Sequence, residues 1–443
     1  MLSLIGLMLV VTCVALLLSG RASPFVTFST LPIIFALLAG FSATEIQSFF
    51  LSGLNKVTPI AVMFIFAILF FSLMQEKGLF EPIISAVVKK AGNRVIAIPI
   101  ATVSIATIAH LDGSGASTFL ICIPTLLPIY ERLKLSPYLL LLLVSASASV
   151  MNMLPWGGPL GRAASVIQTD PTSLWYHLIP VQVSALVLLL VGAYFLGHRE
   201  KKRRMIDHQL VFTEDHGDMN NLSVGSSPTN QNSDLELTQS LSVNWWLNLC
   251  LTLGMIALLF SGVFSAALVF IISLSIALSI NRMSVVEQQN FIKRHAWSAL
   301  QMSMIIFAAG IFLGVLTESK MLHALAQNMM RFLPEVLLTH IHIVIGILGV
   351  PFELILNTDA YYFALLPIVQ QATLPYGISS ESVVYAMLIG NIIGTFISPF
   401  SPALWLALGL SKLDMGDYLR YAFAWIWALS IILMFVAWSI GLF

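Results

Sequence analysis

The strongest constraint in this sequence is a series of apolar stretches, most of which approach the length of about 20 residues that a helix needs to cross a bilayer. They lie at 2–18, 25–41, 59–75, 95–110, 115–130, 138–167, 176–197, 246–261, 263–280, 297–317, 338–356, 360–374, 383–410 and 418–441. Only 9% of the residues are charged, whereas a soluble domain has roughly 25%. The pattern excludes a soluble enzyme, a secreted module and a protein with one anchor. It predicts an all-α polytopic membrane protein.

Three further features of the sequence exclude other kinds of protein within this membrane class. The 21 basic residues balance the 21 acidic ones, so no global charge favours a nucleic-acid partner. Cys13, Cys122 and Cys250 lie far apart, without the spacing of a metal site or a disulfide framework. The stretch 2–18 has neither a preceding basic residue nor a following cleavage pattern. We therefore interpret it as a first transmembrane helix and not a removable signal.

One polar segment, 198–245, divides the chain. It opens with the basic run 199–204 and continues through Asn, Ser, Asp and Gly without periodicity. Such a composition cannot bury apolar surface, and it predicts a disordered linker. The linker separates a first membrane repeat, 1–197, from a second, 246–443.

The two halves share an order of features that predicts an internal repeat. In each half a polar tip precedes an apolar helix that contains proline, and a double-proline break follows about 30 residues later. This order is typical of transporters built from re-entrant hairpins and broken helices. The predicted hairpins are about 95–132 and 338–375, and the predicted broken helices are 138–167 and 383–410.

The basic residues predict how the chain is oriented. With two re-entrant hairpins, each repeat has about five transmembrane helices, and most of the 21 basic residues share one side. The positive-inside tendency makes that side cytoplasmic. The loop 198–245 is then cytoplasmic, the protein is a multi-pass protein of the inner (plasma) membrane, and the repeats are inverted. Hairpins that crossed fully would leave the clusters 89–94 and 199–204 on one side too, so charge does not prove re-entrance.

The first tip holds an acidic residue at membrane depth. Asp112 is followed by Gly113, Ser114, Gly115, Ser117 and Thr118. An ionisable group there costs roughly 2.5–3.5 kcal/mol on insertion scales. Irregular backbone is tolerated only inside protein or beside a water-filled cavity. We expect a binding site in which the next helix turns its N-terminus towards an anion. The alternative is that Asp112 only caps that helix.

The second tip has the same character. Asn357, Thr358 and Asp359 end an apolar stretch, and Glu353 lies one helical turn before Asn357. We expect Asp359 to be functional and treat Glu353 as a further candidate. The alternative makes Asp359 an N-cap and Glu353 a packing residue.

The two breaks contribute further candidates. Asn152, Gly157 and Gly158 lie beside prolines that remove backbone donors. Arg162 follows one turn later and is the only basic group predicted at membrane depth, so it is a natural partner for a carboxylate substrate. Pairing with Asp112 or Glu353, or snorkelling outward, remains open for Arg162. The second break offers Ser398 and Ser401, and a proline kink without function is its alternative.

These residues resemble the CitMHS family of metal-citrate:proton symporters, within the larger ion-transporter superfamily. The most specific motifs are 110–116, 150–159 with 162–164, 359–363 and 365–367. Ser114 and Leu160 depart from the polar residues expected there, and the second break is less polar than expected. These departures leave the identity of the carboxylate open.

The resemblance implies a secondary carrier that takes up citrate, or a related di- or tricarboxylate, complexed to a divalent cation and driven by protons. It also implies an elevator movement of the hairpins and broken helices against a scaffold, in a homodimer. The implied substrate-binding residues are Ser114, Gly115, Ser117, Thr118, Asn152, Gly157, Gly158, Arg162, Asn357, Thr358, Asp359, Ser398 and Ser401.

The remaining roles concern ions. Asp112, Asp359 or Glu353 would carry the proton or complete the shell of a Mg²⁺ or Ca²⁺ that arrives with the substrate. No permanently bound cofactor is expected. A sodium-coupled dicarboxylate carrier of the same fold is the close alternative, although the acidic tips favour protons or a metal complex. A passive anion channel is less favoured, and no nucleophile–base pair suggests an enzyme.

Overall fold

The computed structural model describes residues 2–19, 21–92, 94–214, 242–332 and 334–443. Throughout these ranges every regular element is a helix, and no strand is formed. The prediction of an all-α fold is confirmed. A helix satisfies its own backbone donors and acceptors, which is what a hydrocarbon environment demands.

The helices of the first half lead to a short turn of 3₁₀-helix, His110–Asp112. The α-helices are α1 Leu2–Leu18, α2 Pro24–Leu38, α3 Ala43–Glu76, α4 Glu81–Ala91, α5 Ala97–Ala109, α6 Gly115–Arg132, α7 Pro137–Met151, α8 Gly158–Ile167 and α9 Pro171–Glu214.

The second half contains a π-helix, Ala360–Leu365, and a 3₁₀ turn, Leu374–Tyr376. Its α-helices are α10 Val243–Ser261, α11 Ala266–Ile280, α12 Val285–Glu318, α13 Met321–Phe332, α14 Glu335–Ile347, α15 Gly349–Glu353, α16 Leu366–Thr373, α17 Ser380–Ile392, α18 Pro402–Ser411 and α19 Met415–Ser439.

The lengths of several helices recur between the halves. Helices α3 and α12 each have 34 residues, and each follows an N-cap serine whose hydroxyl accepts the backbone N–H of a glutamate three residues later. Helices α5 and α14 both have 13 residues, and α8 and α18 both have 10. The similarity therefore extends beyond the prolines to the lengths of several helices. The internal repeat and its inversion stay predictions.

Five helices in the described part of the chain are long and apolar enough to cross a membrane: α3, α9 as far as Arg203, α10, α12 and α19. Other apolar helices, among them α1, α5, α7 and α11, are shorter. Large apolar side chains on different helices, among them Leu4, Phe195 and Phe435, lie exposed on the outside of the molecule, as is typical of a surface that faces lipid. The chain is a multi-pass membrane protein.

Helices α3 and α12 cross at a contact made possible by glycine. A Cβ on Gly53 would meet the carbonyl oxygen of Gly310, and one on Gly314 would meet that of Phe49. Small residues four apart let membrane helices approach until their backbones touch. Helices α2 and α11 pack on the same pair. This set forms one group, and α5–α9 with α14–α19 form a second.

Both predicted broken helices are interrupted where the prolines lie. Helix α7 ends at Met151 and α8 begins at Gly158, whereas α17 ends at Ile392 and α18 begins at Pro402. Prolines at the first turns of α8 and α18 suit those positions, because the missing N–H is not needed there.

Helix α9 continues past residue 197, where the sequence predicted the linker to begin, and ends at Glu214. The basic run provides good helix formers and contains neither proline nor glycine. Glu200 is buried and accepts the N–H of Ser136 at 3.3 Å, which ties this extension to α7. The rest of the predicted linker, 215–241, lies outside the described residues.

Candidate functional site

The first tip is a tight turn between α5 and α6. Gly113 adopts φ +71°, a left-handed conformation that favours glycine. Asp112 is only 6% exposed, and its Oδ1 accepts the N–H of Ser114 at 2.8 Å. The hydroxyl of Ser114 accepts the N–H of Ser117 at 3.4 Å. Ser114, and not Asp112, therefore caps α6, so the role left open as the alternative for Asp112 belongs to its neighbour.

His110 is a residue that the sequence reasoning did not select. Its Nδ1 lies 2.7 Å from Thr118 Oγ1, and its Nε2 lies 3.0 Å from Asn152 Oδ1. The Thr118 hydroxyl donates to the carbonyl of Ser114 at 2.8 Å, so the histidine nitrogen is the donor in the bond to Thr118. His110 thereby joins the first hairpin to the first break. A histidine inside an apolar run, two residues before Asp112, was the available signal.

Trp156 fixes the first break against both the tip and the α3 group. Its indole N–H donates to the carbonyl of Leu111 at 2.8 Å. Its ring stacks on Phe71 with 4.9 Å between centroids and meets Phe270 edge-on at 5.5 Å. The irregular backbone of the break is thus held by an aromatic cluster rather than by lipid.

The second tip meets α8 through a buried ion pair. Nε of Arg162 donates to Oδ1 of Asp359 at 2.6 Å, and both side chains are 12% exposed. Asn357 Oδ1 accepts the N–H of Ala360 at 2.8 Å and so caps the π-helix, while Asp359 makes no side-chain cap. Asp359 thus occupies the N-cap position of the π-helix, but its carboxylate bonds to Arg162 and not to the helix backbone.

Glu353 lies directly behind this pair and is fully buried. The hydroxyl of Thr358 donates to its Oε1 at 3.4 Å, and the hydroxyl of Ser398 donates to its backbone carbonyl at 2.7 Å. The Ser398 contact ties the second break to the second tip, as Trp156 ties the first break to the first tip.

The first tip also packs on the second break. A Cβ on Gly115 would meet the ring of Phe396 and, at 3.0 Å, the side chain of Ala403. The same phenylalanine ring lies 5.6 Å from that of His110 and 5.4 Å from that of Phe119. Each tip therefore contacts the break of the other half as well as its own.

Two predicted glycines leave room for groups of the site. A Cβ on Gly157 would meet the carbonyl oxygen of Asn152. One on Gly158 would come within 2.7 Å of Nη1 of Arg162, so the guanidinium lies over a position that has no side chain. Both glycines are buried, as is Leu160, whose side chain is 0% exposed.

The predicted residues fall into two connected clusters. One joins Asp112, Ser114, Ser117, Thr118 and Asn152, together with His110, around the first tip. The other joins Arg162, Asp359, Thr358, Glu353 and Ser398 around the second tip. Asn357 caps the second tip, and Ser401 contributes its backbone N–H to the carbonyl of Ser398 at 3.0 Å. Within the described ranges no three His, Cys, Asp or Glu side chains are grouped as a metal site requires.

Comparison with known proteins decides the family. The profile of the CitMHS family, described as "Citrate transporter", matches residues 1–390. The chain belongs to the CitMHS citrate transporter family. This membership places it among transporters and not among enzymes, as the motifs at the tips and breaks predicted.

Two relatives in Bacillus subtilis (strain 168) cover essentially the whole chain. One is named "Mg(2+)/citrate complex secondary transporter" and is 31% identical over 444 residues, covering 100% of this chain and 99% of the relative. The other is named "Citrate transporter" and is 29% identical over 442 residues, with the same coverage.

A solved structure shares the fold of this CitMHS protein. The YdaH transporter of Alcanivorax borkumensis, described as having an unusual topology, superposes with a TM-score of 0.56 over 90% of each chain. The sequences are 15% identical, so the similarity concerns the fold alone.

Proposed function

We propose that this protein is a secondary transporter for proton-coupled uptake of citrate or a related di- or tricarboxylate as a divalent-metal complex. The observation that carries the proposal is the Arg162–Asp359 pair, a buried cation held by the protein's own carboxylate where the halves meet. The relative that is named a Mg²⁺/citrate complex transporter supports the metal.

The pair suggests how the substrate is recognised. A guanidinium binds a carboxylate through two parallel hydrogen bonds, so a substrate carboxylate can replace Asp359 on Arg162. Asp359 is then released as a hard oxygen ligand beside the arriving anion, suited to a Mg²⁺ or Ca²⁺ that the substrate brings. At the first tip the hydroxyl of Ser114, which accepts the N–H of Ser117, keeps its own proton available as a further donor.

An elevator movement is supported by the way the helices divide. The tips, the breaks and α8 belong to one packed group, and α3 with α12 forms the centre of the other. The groups touch through Trp156 and through Gly161, where a Cβ would meet the ring of Phe64. We propose that the first group moves along the second and carries the site across the membrane.

The setting of the carrier is part of the same proposal. The positive-inside tendency supports an inner (plasma) membrane protein with residues 198–245 in the cytoplasm. The family resemblance implies a homodimer. Mass measurement of the purified protein in detergent and labelling of single cysteines from either side test these two statements.

The function is tested with purified protein in liposomes. Labelled citrate uptake is followed under an imposed proton gradient without sodium, with and without Mg²⁺ or Ca²⁺. We expect accumulation only when both gradient and metal are present. Accumulation that requires sodium would favour the sodium-coupled alternative, and flux that neither saturates nor concentrates citrate would indicate a channel. No citrate uptake under any condition would exclude citrate as the substrate.

A further inference from the structure

Glu353 is an acidic residue of the site whose carboxyl group is buried with few hydrogen bonds. Its side chain is 0% exposed, and Oε2 has no hydrogen-bond partner. The other oxygen receives the long bond of 3.4 Å from Thr358. The side chains of Asn391 and Ser398 also face the carboxyl group, but the Asn391 amide donates to the carbonyl of Gly349 at 3.2 Å and the Ser398 hydroxyl to the backbone carbonyl of Glu353 at 2.7 Å. A buried carboxylate needs donors or a cation to offset the loss of water, which otherwise costs several kcal/mol.

Two further polar atoms around Glu353 are also without a partner. Asn391 lies against the carboxyl group, and its Oδ1 is buried and receives no donor. The hydroxyl of Tyr362, a residue that interacts electrostatically with Glu353, is likewise buried and unpartnered. Gly394 closes the other side, since a Cβ there would lie 3.2 Å from Cγ of Glu353. The buried carboxyl group and two of its polar neighbours are therefore left without full hydrogen bonding.

The charges of the site lead to the same conclusion. Arg162 is the cation of this cluster, and its Nε is committed to Asp359 at 2.6 Å. With both Asp359 and Glu353 ionised, the cluster would hold one uncompensated negative charge inside the membrane. A proton on Glu353 makes the cluster neutral and turns the carboxyl group into a donor beside the unpartnered Oδ1 of Asn391.

In the first half the corresponding hydrogen-bonding groups have partners. Nδ1 of His110 donates to Thr118, and its Nε2 lies against the side-chain amide of Asn152, whose N–H can donate to it, so neither ring nitrogen is left over. Asp112 accepts a backbone N–H from Ser114 at 2.8 Å, a bond that supports a negative charge. Asp112 thus has a strong donor, whereas Oε2 of Glu353 has none. The residue that a proton would stabilise therefore lies at the second tip.

We propose that Glu353 is the group that carries the coupling proton. This deepens the proposed function and rests on it. Oε2 takes up a proton from the side on which the substrate enters and releases it on the other side, while the substrate carboxylate occupies Arg162.

Every titratable group facing Glu353 enters this cycle. Arg162 acts on it from α8, and Tyr361 and Tyr362 act on it from the π-helix. Asp359 reaches it through Arg162. From α17 the facing residues are Asn391 and Gly394, neither of which titrates. When a substrate anion replaces Asp359 on Arg162, the negative charge of the cluster rises, which favours protonation of Glu353.

The test compares two transport modes of Glu353→Gln in liposomes. Gln is neutral and nearly isosteric, so it mimics the protonated side chain throughout the cycle. We expect exchange of external labelled citrate for internal citrate to stay within about twofold of wild type. Proton-driven accumulation, and alkalinisation outside the liposomes, should fall by at least about tenfold. Glu335→Gln, the same change at an exposed position at the start of α14, is the matched control and should behave as wild type.

Each result decides between distinct outcomes. Proton-driven accumulation retained by Glu353→Gln overturns the assignment to Glu353, whereas wild-type protein that never couples to protons overturns the proposed function itself. Loss of exchange together with accumulation, in a variant that elutes and melts as wild type, assigns Glu353 to substrate binding instead.

If Glu353→Gln fails to fold, the proposal can still be tested by a measurement that does not depend on transport. Infrared difference spectra of the wild type on adding metal citrate should show the carbonyl band of a protonated carboxyl group. Glu353→Asp should retain that band at a shifted position, and its absence from both proteins counts against the proposal.

Discussion

Arg162 and Asp359 are 197 residues apart in the chain, yet Nε and Oδ1 approach to 2.6 Å with both side chains 12% exposed. The pair joins the first break to the second tip, and it is the only ion pair between a break and a tip in the described residues. Buried pairs of this kind contribute little net stability, but removing one partner costs about 3–5 kcal/mol because the other charge is left alone. The pair is therefore better explained by recognition than by stability.

Arg162→Gln should weaken citrate affinity selectively. Losing the guanidinium removes the anion anchor, so we expect the KM for citrate to rise by at least about tenfold, with a smaller change in kcat. Concentration-dependent uptake in liposomes measures both. Arg420→Gln, at an exposed position, is the control and should leave KM unchanged.

The double variant Arg162→Gln with Asp359→Asn separates recognition from structure. It removes both charges, so no buried charge is left alone. If the pair serves only folding, the double variant should recover the activity that Arg162→Gln loses. If Arg162 binds substrate, melting should recover while uptake stays low. Failure of Arg162→Gln to insert into the membrane would indicate a structural pair.

Asp359→Asn and Asp112→Asn should each abolish concentrative uptake of metal citrate while the protein still folds, and Asp359→Asn should melt at a lower temperature because it leaves the charge of Arg162 alone. Asp359 is expected to lose both its contact with Arg162 and its role as a metal ligand. Asp112→Asn keeps an acceptor for the N–H of Ser114 but removes the negative charge at the start of α6. Uptake and thermal melting are measured side by side, and wild-type uptake by both variants would exclude the assignment of both tips.

The breaks and the partner of Arg162 differ in how well the sequence predicts them. The turn at Gly113 and the breaks before Gly158 and Pro402 follow from local chemistry, namely glycine conformation and missing proline donors, so they could be predicted. The partner of Arg162 could not, because it depends on how distant segments pack. The sequence leaves Asp112 and Glu353 as possible partners of Arg162, whereas in the structure Arg162 pairs with Asp359.

The hydrogen-bond partners of His110 and Glu353 likewise could not be predicted from the sequence. Both residues interrupt apolar stretches, which marks them as unusual at membrane depth. Whether such a group is satisfied depends on side chains from other helices, here Asn152 for His110 and Asn391 for Glu353. Helix α9 ends later than the sequence predicts, at Glu214. A polar run lacks the apolar periodicity that predicts a helix, yet it can remain helical where it extends a long helix.

Gly158→Ala should impair transport by displacing the guanidinium of Arg162. The added Cβ would lie 2.7 Å from Nη1, closer than two such atoms approach, so the side chain must move. We expect a raised KM of the same sign as in Arg162→Gln but smaller, by about threefold or more. Gly192→Ala adds a Cβ to α9 where nothing lies within 4 Å and is the matched control. Equal KM values for the two alanine variants would contradict the role given to Gly158.

The sliding contact between the two groups of helices predicts a defect in movement rather than in binding. A Cβ on Gly161 would meet the ring of Phe64 on α3, so Gly161→Ala should obstruct the passage of α8 along the scaffold. Turnover should fall by at least about tenfold while citrate binding, measured by calorimetry in detergent, changes little. Phe64→Leu removes the ring that obstructs the added methyl group, so the double variant should regain turnover. If Phe64→Leu does not rescue Gly161→Ala, or if Gly161→Ala transports as wild type, this contact is not a sliding surface and the elevator proposal loses its structural support.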